Sequence, residues 1–317
     1  MFAQILAGLV AGGVYAALAV CLVLMYQMLG VLSFAQSALG ALGACSMLGF
    51  QALGLPAILS VLAGVAVGAV IGVVCGWLMA RYFTESSVET RSAATVGFLV
   101  VAVAIGNRIL NGATYSFPDP FGGRSLFIGD QGVPVGTIVE VALVFLLAIG
   151  VTAALQKTFL GAQLRAMSER ATTAQLLGVK VNRLTVLVWA FACAVSTLAV
   201  VFVLPTSTTS FPPLAYLIIP ATAAALLGLL QNMYLAALGG LFMGIAESLT
   251  LASPLGRYTG AIPFLIVVVV FLRVVVVVFA VASMGEGVMQ TAFWVFVEHS
   301  LGLQRNLLAD AGEAQLR

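Results

Sequence analysis

Bond chemistry needs titratable or nucleophilic side chains at defined spacing, and this chain supplies them thinly. Lys, Arg, Asp and Glu together make up 8% of the 317 residues, and there is one histidine, His299. A single imidazole cannot build an HExxH metal site or a histidine-based triad. The two lysines, Lys157 and Lys180, lack the glycine-rich neighbours of a phosphate loop. Cys21, Cys45, Cys75 and Cys193 lie in apolar runs with no CxxC spacing, so they read as small buried hydrophobes rather than metal ligands or a disulfide framework. Serine and aspartate show no nucleophile-elbow pattern. The residues point away from an enzyme, no cofactor site is expected in this chain, and any ATP driving its work must be bound by another chain.

The polar residues that remain fall into two groups. The first is a concentration of charge in Leu164–Thr185, where Arg165, Glu169, Arg170, Lys180 and Arg183 stand close together. The second is a set of polar residues inside or beside apolar runs. Glu140 and Glu247 are the carboxylates, Asn107 and Arg108 end one run, and Ser33, Gln36 and Ser37 interrupt another. Gln231 and Asn232 interrupt a later one within "LLGLLQN". Polar groups inside a membrane are costly, so they mark solute paths or helix ends. Gln36, Ser37, Gln231, Asn232 and Glu247 are the expected pathway groups. The two interruptions occupy corresponding parts of the chain's halves, a weak sign of repeat-related halves meeting at a pathway.

The elements that must position these residues are membrane helices. Hydrophobic residues make up 62% of the chain, mean hydropathy is +1.17, and several apolar runs exceed the ~18 residues needed to cross a bilayer. Nine segments qualify by composition: Phe2–Met28, Val31–Phe50, Pro56–Met79, Ala93–Ile109, Pro134–Leu155, Leu184–Leu204, Leu214–Leu230, Tyr234–Leu251 and Ile262–Ser283. The Leu214 segment is short and holds Pro220, so eight to nine spans are expected. The predicted fold is an all-α polytopic bundle over residues 1–283, followed by a tail over 284–317. A net charge of +2 is too small to imply a nucleic-acid partner, and none is expected. The first basic residue is Arg81, so the first run lacks a secretory n-region and reads as a retained helix. Five basic residues against one acidic between Lys157 and Arg183 place that loop in the cytoplasm. Counting spans then puts the N-terminus and the turn-rich Asn111–Val133 loop outside, and the C-terminus inside.

Gly64, Gly68, Gly72 and Gly76 recur every four residues and so line one helix face, where a neighbouring backbone can approach closely. Gly8 with Gly12, and Gly240 with Gly244, repeat the spacing. In the charged segment Ala166, Ala171, Ala174 and Leu177 fall at helical spacing and Gly178 follows where a helix would stop. "GAQLRAMSERATTAQLLGVKVNR" therefore predicts a short surface helix, a turn, and a return into the membrane.

That segment resembles the coupling loop of the inner-membrane permeases of ATP-binding-cassette importers, and is most similar to the smaller permease type of the branched-chain amino-acid family. Leu164, Arg165, Ala166, Glu169, Ala174, Leu176, Leu177, Gly178, Val181, Asn182 and Arg183 match its "GRALRA-x-x-EN-x-EAA-x-LLG-I-x-VNR"-like stretch. Thr172 and Thr173 replace the Glu-Ala of its EAA. "AGLVAGGVYAALAVCLVLMYQMLGVLSFAQSALGALGA" resembles the family's first helix and bend, with Ser33, Gln36 and Ser37 in place of Asn, His and Gly. "ALLGLLQNMYLAALGGLFMGIAESL" resembles its late helix pair, including Glu247, and "AIPFLIVVVVFLR" its last helix. The resemblance runs to about Arg273.

The resemblance implies a subunit that moves branched-chain or related small amino acids across the bacterial inner membrane. It implies four kinds of association: a second, larger permease, two cytoplasmic ATPase subunits that bind the ATP, a periplasmic solute-binding protein, and the membrane itself. Arg165, Glu169, Ala174, Leu177 and Gly178 would belong to the ATPase-coupling loop. Related permeases of urea and short amides keep those solutes open as alternatives. From the residues alone, a self-contained secondary transporter or channel also stays open. Beyond Arg273 the apolar run continues, and the tail's Phe293, Phe296, Val297 and Leu301 fall on one side of a possible interfacial helix.

Overall fold

The computed structural model describes residues 2–83, 86–110, 125–128, 131–169, 171–203, 210–253, 256–270 and 272. The tail, including His299 and the aromatic stripe expected there, lies outside them, as do Arg170 and the side chain of Glu140. The chain forms two compact units, Met1–Phe264 and Leu265–Arg317. The first is a helical bundle; of the second only the end of an apolar helix is described.

Apolar runs become helices because lipid offers no partner for a free backbone group. In order they are α1 (Phe2–Leu29), α2 (Gln36–Ala52), α3 (Ala57–Tyr82), α4 (Val88–Ile109), α5 (Val135–Lys157), α6 (Phe159–Glu169), α7 (Ala171–Leu176), α8 (Val181–Val203), α9 (Phe211–Tyr216), α10 (Ile218–Leu227) and α11 (Met233–Leu251). A further apolar helix, Gly256–Val270, begins as a 3-10 turn. A hairpin precedes α5: β1 (Ser125–Ile128) pairs antiparallel with β2 (Gln131–Pro134), with Ile128 opposite Gln131. The hairpin lies at the end of the turn-rich Asn111–Val133 loop.

Five of these helices are long and apolar enough to cross a membrane, and the bent pair α5–α6 makes a sixth. The expected eight to nine spans are not reached on length alone among the described residues. The difference lies in the short pieces. α2 has 17 residues, and the broken α9–α10 unit covers only Phe211–Leu227.

Local chemistry sets the boundaries. Gly30 ends α1 at φ 63°, and its N–H closes onto the Tyr26 carbonyl at 2.9 Å; a side chain there would be strained in the left-handed region. Pro56 stands directly before α3, where its missing N–H costs no helical bond. Ser87 caps α4 by accepting the Thr90 N–H at 3.3 Å.

Glycine then decides which helices meet. α1 packs most extensively on α11, and α3 on α8. The two pairs run antiparallel. Gly8 faces Gly244 and Ile245, while Gly12 faces Gly240 and Leu241. Along α3, Gly64 meets the Gly43 carbonyl of α2, Gly68 meets Thr197, Gly72 meets Trp189 and Cys193, and Gly76 meets Trp189 and Val186. A Cβ at Gly72 would come within 2.6 Å of the Trp189 carbonyl oxygen. α2 packs against both α3 and α8, with Gly40 against Ser196. All four cysteines are buried.

Candidate functional site

Between α1 and α2 the chain makes a sharp bend, and polar residues on α4 hold it. The Leu32 N–H donates to Ser92 Oγ at 3.1 Å and the Phe34 N–H to Thr95 Oγ1 at 3.0 Å. The Arg91 guanidinium donates to the carbonyls of Phe83 (2.9 Å) and Leu29 (3.3 Å). The interruption read at Ser33–Ser37 therefore separates two helices rather than breaking one. Ser37 Oγ donates to the Ala215 carbonyl of α9 at 2.5 Å.

Ser33 and Gln36 differ from the other buried polar residues. Ser60, Ser196 and Thr197 bond back to carbonyls of their own chain segment at 2.8–3.3 Å. Ser33 Oγ and both amide atoms of Gln36 find no hydrogen-bond partner, although Gln36 is only 1% exposed. Among the described residues, the group that meets the Gln36 amide is the Cys21 thiol, a weak hydrogen-bonding group that leaves the amide's capacity largely unmet. An orphaned buried polar group costs about 1–3 kcal/mol. That cost falls at a bend held in place by hydrogen bonds from α4.

Gln231 and Asn232 stand elsewhere. They follow a turn in which Leu229 and Leu230 both take positive φ, 51° and 56°, at about 1–2 kcal/mol per residue. Asn232 Oδ1 caps α11 by accepting the N–H groups of Tyr234 (2.9 Å) and Leu235 (3.1 Å). The Gln27 amide, two residues before the end of α1, donates to the Gln231 carbonyl. The pair thus occupies the turn beside the end of α1, whereas Gln36 and Ser37 face Cys21 and Ala215. Glu247 is separate again: its carboxylate accepts the Tyr15 hydroxyl at 2.7 Å across the α1–α11 contact. Sequence reasoning missed that pair, because 232 residues separate the partners.

The charged segment folds as two short helices. α6 turns 81° from Val141–Lys157. Thr158 makes that corner, since its hydroxyl accepts the Gly161 N–H at 3.1 Å and donates to the Ala154 carbonyl at 2.5 Å. After α7, Gly178 takes φ 87°, and the Gly178 and Val179 N–H groups close onto Gln175 and Ala174 at 3.0 Å each. Leu164, Met167 and Ala174 face the bundle; Ala174 is 2% exposed, so it anchors the segment and is not part of its outer surface. Outward stand Arg165, Glu169 and Gly178. With them, Leu176 is 89% and Leu177 78% exposed.

A cavity of about 60 Å³ lies under this segment. Met167 and Ala171 line it on one side, Leu29 and Val31 of the bend on another, with Arg91 and Trp189. The indole N–H of Trp189 is buried without a partner. No motif announced this residue; a tryptophan inside an apolar run reads as core. The outer helices and the bend thus share one small void.

A bundle of long apolar helices with a pinned bend, neutral buried polar groups and an outward helical loop is the architecture of a multi-pass membrane protein. The family model for the permease component of branched-chain amino acid transport systems matches residues 4–293, and the chain belongs to that family. The match continues past Arg273, where the sequence resemblance had been taken to end. No curated protein and no solved structure matches the chain.

Proposed function

We propose that this chain is one permease subunit of an ATP-binding-cassette importer for branched-chain or related small amino acids. It pairs with a second, larger permease, two cytoplasmic ATPase subunits that bind the ATP, and a periplasmic solute-binding protein. The N-terminus lies outside and the C-terminus in the cytoplasm of the bacterial inner membrane.

The observation that carries this reading is the exposure of Leu176 and Leu177 among charges on α6–α7. Two adjacent leucines facing water beside Arg165 and Glu169 are apolar surface that a protein partner would cover. Family membership makes an ATPase the fitting partner. ATP binding would draw α6–α7 toward the closing ATPases. The shared cavity would pass that movement to the bend at Ser33–Gln36, shifting the pathway between inward- and outward-facing states. Gln36 and Ser37 would meet the solute, with Gln231 and Asn232 at the end of the route nearer α6–α7.

A second solute class is favoured by one feature. Among the described residues the buried polar ones, including Ser33, Gln36, Ser37 and Thr95, are all uncharged. An amide that both donates and accepts suits urea or a short amide as well as it suits an amino acid.

The test is co-purification of the tagged chain from its native membrane in mild detergent. ATPase subunits and a second permease should come down with it, and should be lost when residues 165–178 become a Gly/Ser linker. A chain that purifies alone and still transports after reconstitution would replace this reading with a self-contained secondary transporter.

A further inference from the structure

We infer that a basic recess between the C-terminal end of α3 and the start of α8 is a binding site for an anionic phospholipid, which the chain holds as a fixed part of its membrane surface. The inference rests on the chain's place in a membrane and not on its partners or solute.

The recess encloses about 280 Å³ and is lined by Trp77, Ala80, Arg81, Asn182, Arg183 and Val186. Arg81 and Arg183 are exposed, and neither guanidinium has a hydrogen-bond or ion-pair partner among the described residues. Two unneutralised guanidiniums on one small concavity present several N–H donors in fork geometry, which suits a phosphate diester. Asn182 adds an uncharged donor. Such basic clefts between membrane helices select anionic headgroups.

A headgroup alone would make this a site for any anion. The helix surface beside it argues for a lipid. Val70, Val73, Val74 and Trp77 are exposed and, with Arg81, follow the i, i+3, i+4, i+7, i+11 spacing of one helix face. The opposite face of α3 is the glycine stripe that α8 covers. Eleven residues of helix rise about 16 Å, close to the half-thickness of a bilayer's hydrocarbon core. On α8, Arg183, Leu187 and Phe191 repeat the order at i, i+4, i+8, all exposed. Both helices therefore carry a charge at one end with an apolar strip behind it, and on α3 that strip reaches leaflet length. Trp77, 54% exposed, stands at the junction, where an indole prefers the headgroup level.

The test is thermal unfolding of the full chain in detergent with phosphatidylglycerol, with phosphatidylcholine, and with soluble glycerol phosphate. Phosphatidylglycerol should raise the melting temperature of the wild type above phosphatidylcholine. The double variant R81Q/R183Q should lose that excess, with apparent lipid affinity about 30-fold weaker, or about 2 kcal/mol at ~1.4 kcal/mol per tenfold. Changing charges outside the recess, in K157Q/K180Q, should keep it. On the wild type alone, the excess should shrink as salt rises from about 0.05 to about 0.5 M, which keeps the test intact if the double variant folds poorly. Equal effects of the two lipids, an excess that survives in R81Q/R183Q or resists salt, or glycerol phosphate acting as well as the lipid would each overturn the proposal.

Discussion

At Gly244, the backbone of α1 comes so close that an added Cβ would lie 2.3 Å from the Gly12 nitrogen and 2.4 Å from the Gly8 carbonyl oxygen. Backbone cannot move aside as a side chain can, so Gly244→Ala must separate α1 from α11. The expected loss is about 3 kcal/mol or more, the upper end of overpacking costs, read as a lower melting temperature in detergent. Gly97→Ala meets nothing within 4 Å and should be neutral or stabilising by up to ~1 kcal/mol through helix propensity. Gln36 makes the opposite case. Gln36→Leu removes two orphaned polar atoms and should stabilise the chain by about 1–3 kcal/mol. If the amide meets the solute, the same change should slow transport about tenfold or more, since one lost hydrogen bond in a pathway is worth roughly 1.4 kcal/mol. A variant that is both more stable and fully active would remove Gln36 from the route.

Among the elements, α6 and α7 show how one segment divides its labour. Leu164, Met167 and Ala174 hold it to the bundle, while Leu176 and Leu177 point away. Leu176→Ser with Leu177→Ser should therefore leave the stability of the isolated chain, read by thermal unfolding, within ~0.5 kcal/mol. Copurified ATPase should fall by about tenfold or more, because each buried leucine contributes roughly 1.5–3 kcal/mol at an interface. Equal recovery of ATPase would show that the two leucines face something else. The sequence pattern located this segment and its glycine stop, both local properties. It treated residues from 165 to 178 as one unit, whereas the segment folds as two short helices with Ala174 turned toward the bundle. Helical spacing says which residues share a face but not which way that face points.

In the bundle formed by residues 1–264, the Glu247 carboxylate accepts the Tyr15 hydroxyl across the α1–α11 seam. In a transporter driven by partner ATPases this carboxylate has a packing role. Glu247→Gln keeps an acceptor for the Tyr15 hydroxyl and should retain most transport in the reconstituted complex. A proton- or sodium-coupled carrier would lose transport entirely with that change, because its coupling ion needs the charge. Solute uptake by the Glu247→Gln complex, measured with and without ATP, separates the two.

The sequence by itself determined the membrane setting, the apolar runs that become helices, the glycine stop at Gly178, and the stripe at Gly64, Gly68, Gly72 and Gly76. These follow from composition, apolar run length and backbone sterics, which act within a few residues. Tertiary structure decided the rest. It orphaned Ser33 and Gln36 while giving Ser37 the Ala215 carbonyl, and it assigned Asn232 to a helix cap. It joined Tyr15 to Glu247, and it set Arg81 beside Arg183. Each of these depends on which helices lie side by side, and in a chain where nearly every helix is apolar all round, hydrophobic pattern cannot choose the neighbour. The choice falls to glycine contacts and a few hydrogen bonds, whose partners lie far apart in the chain.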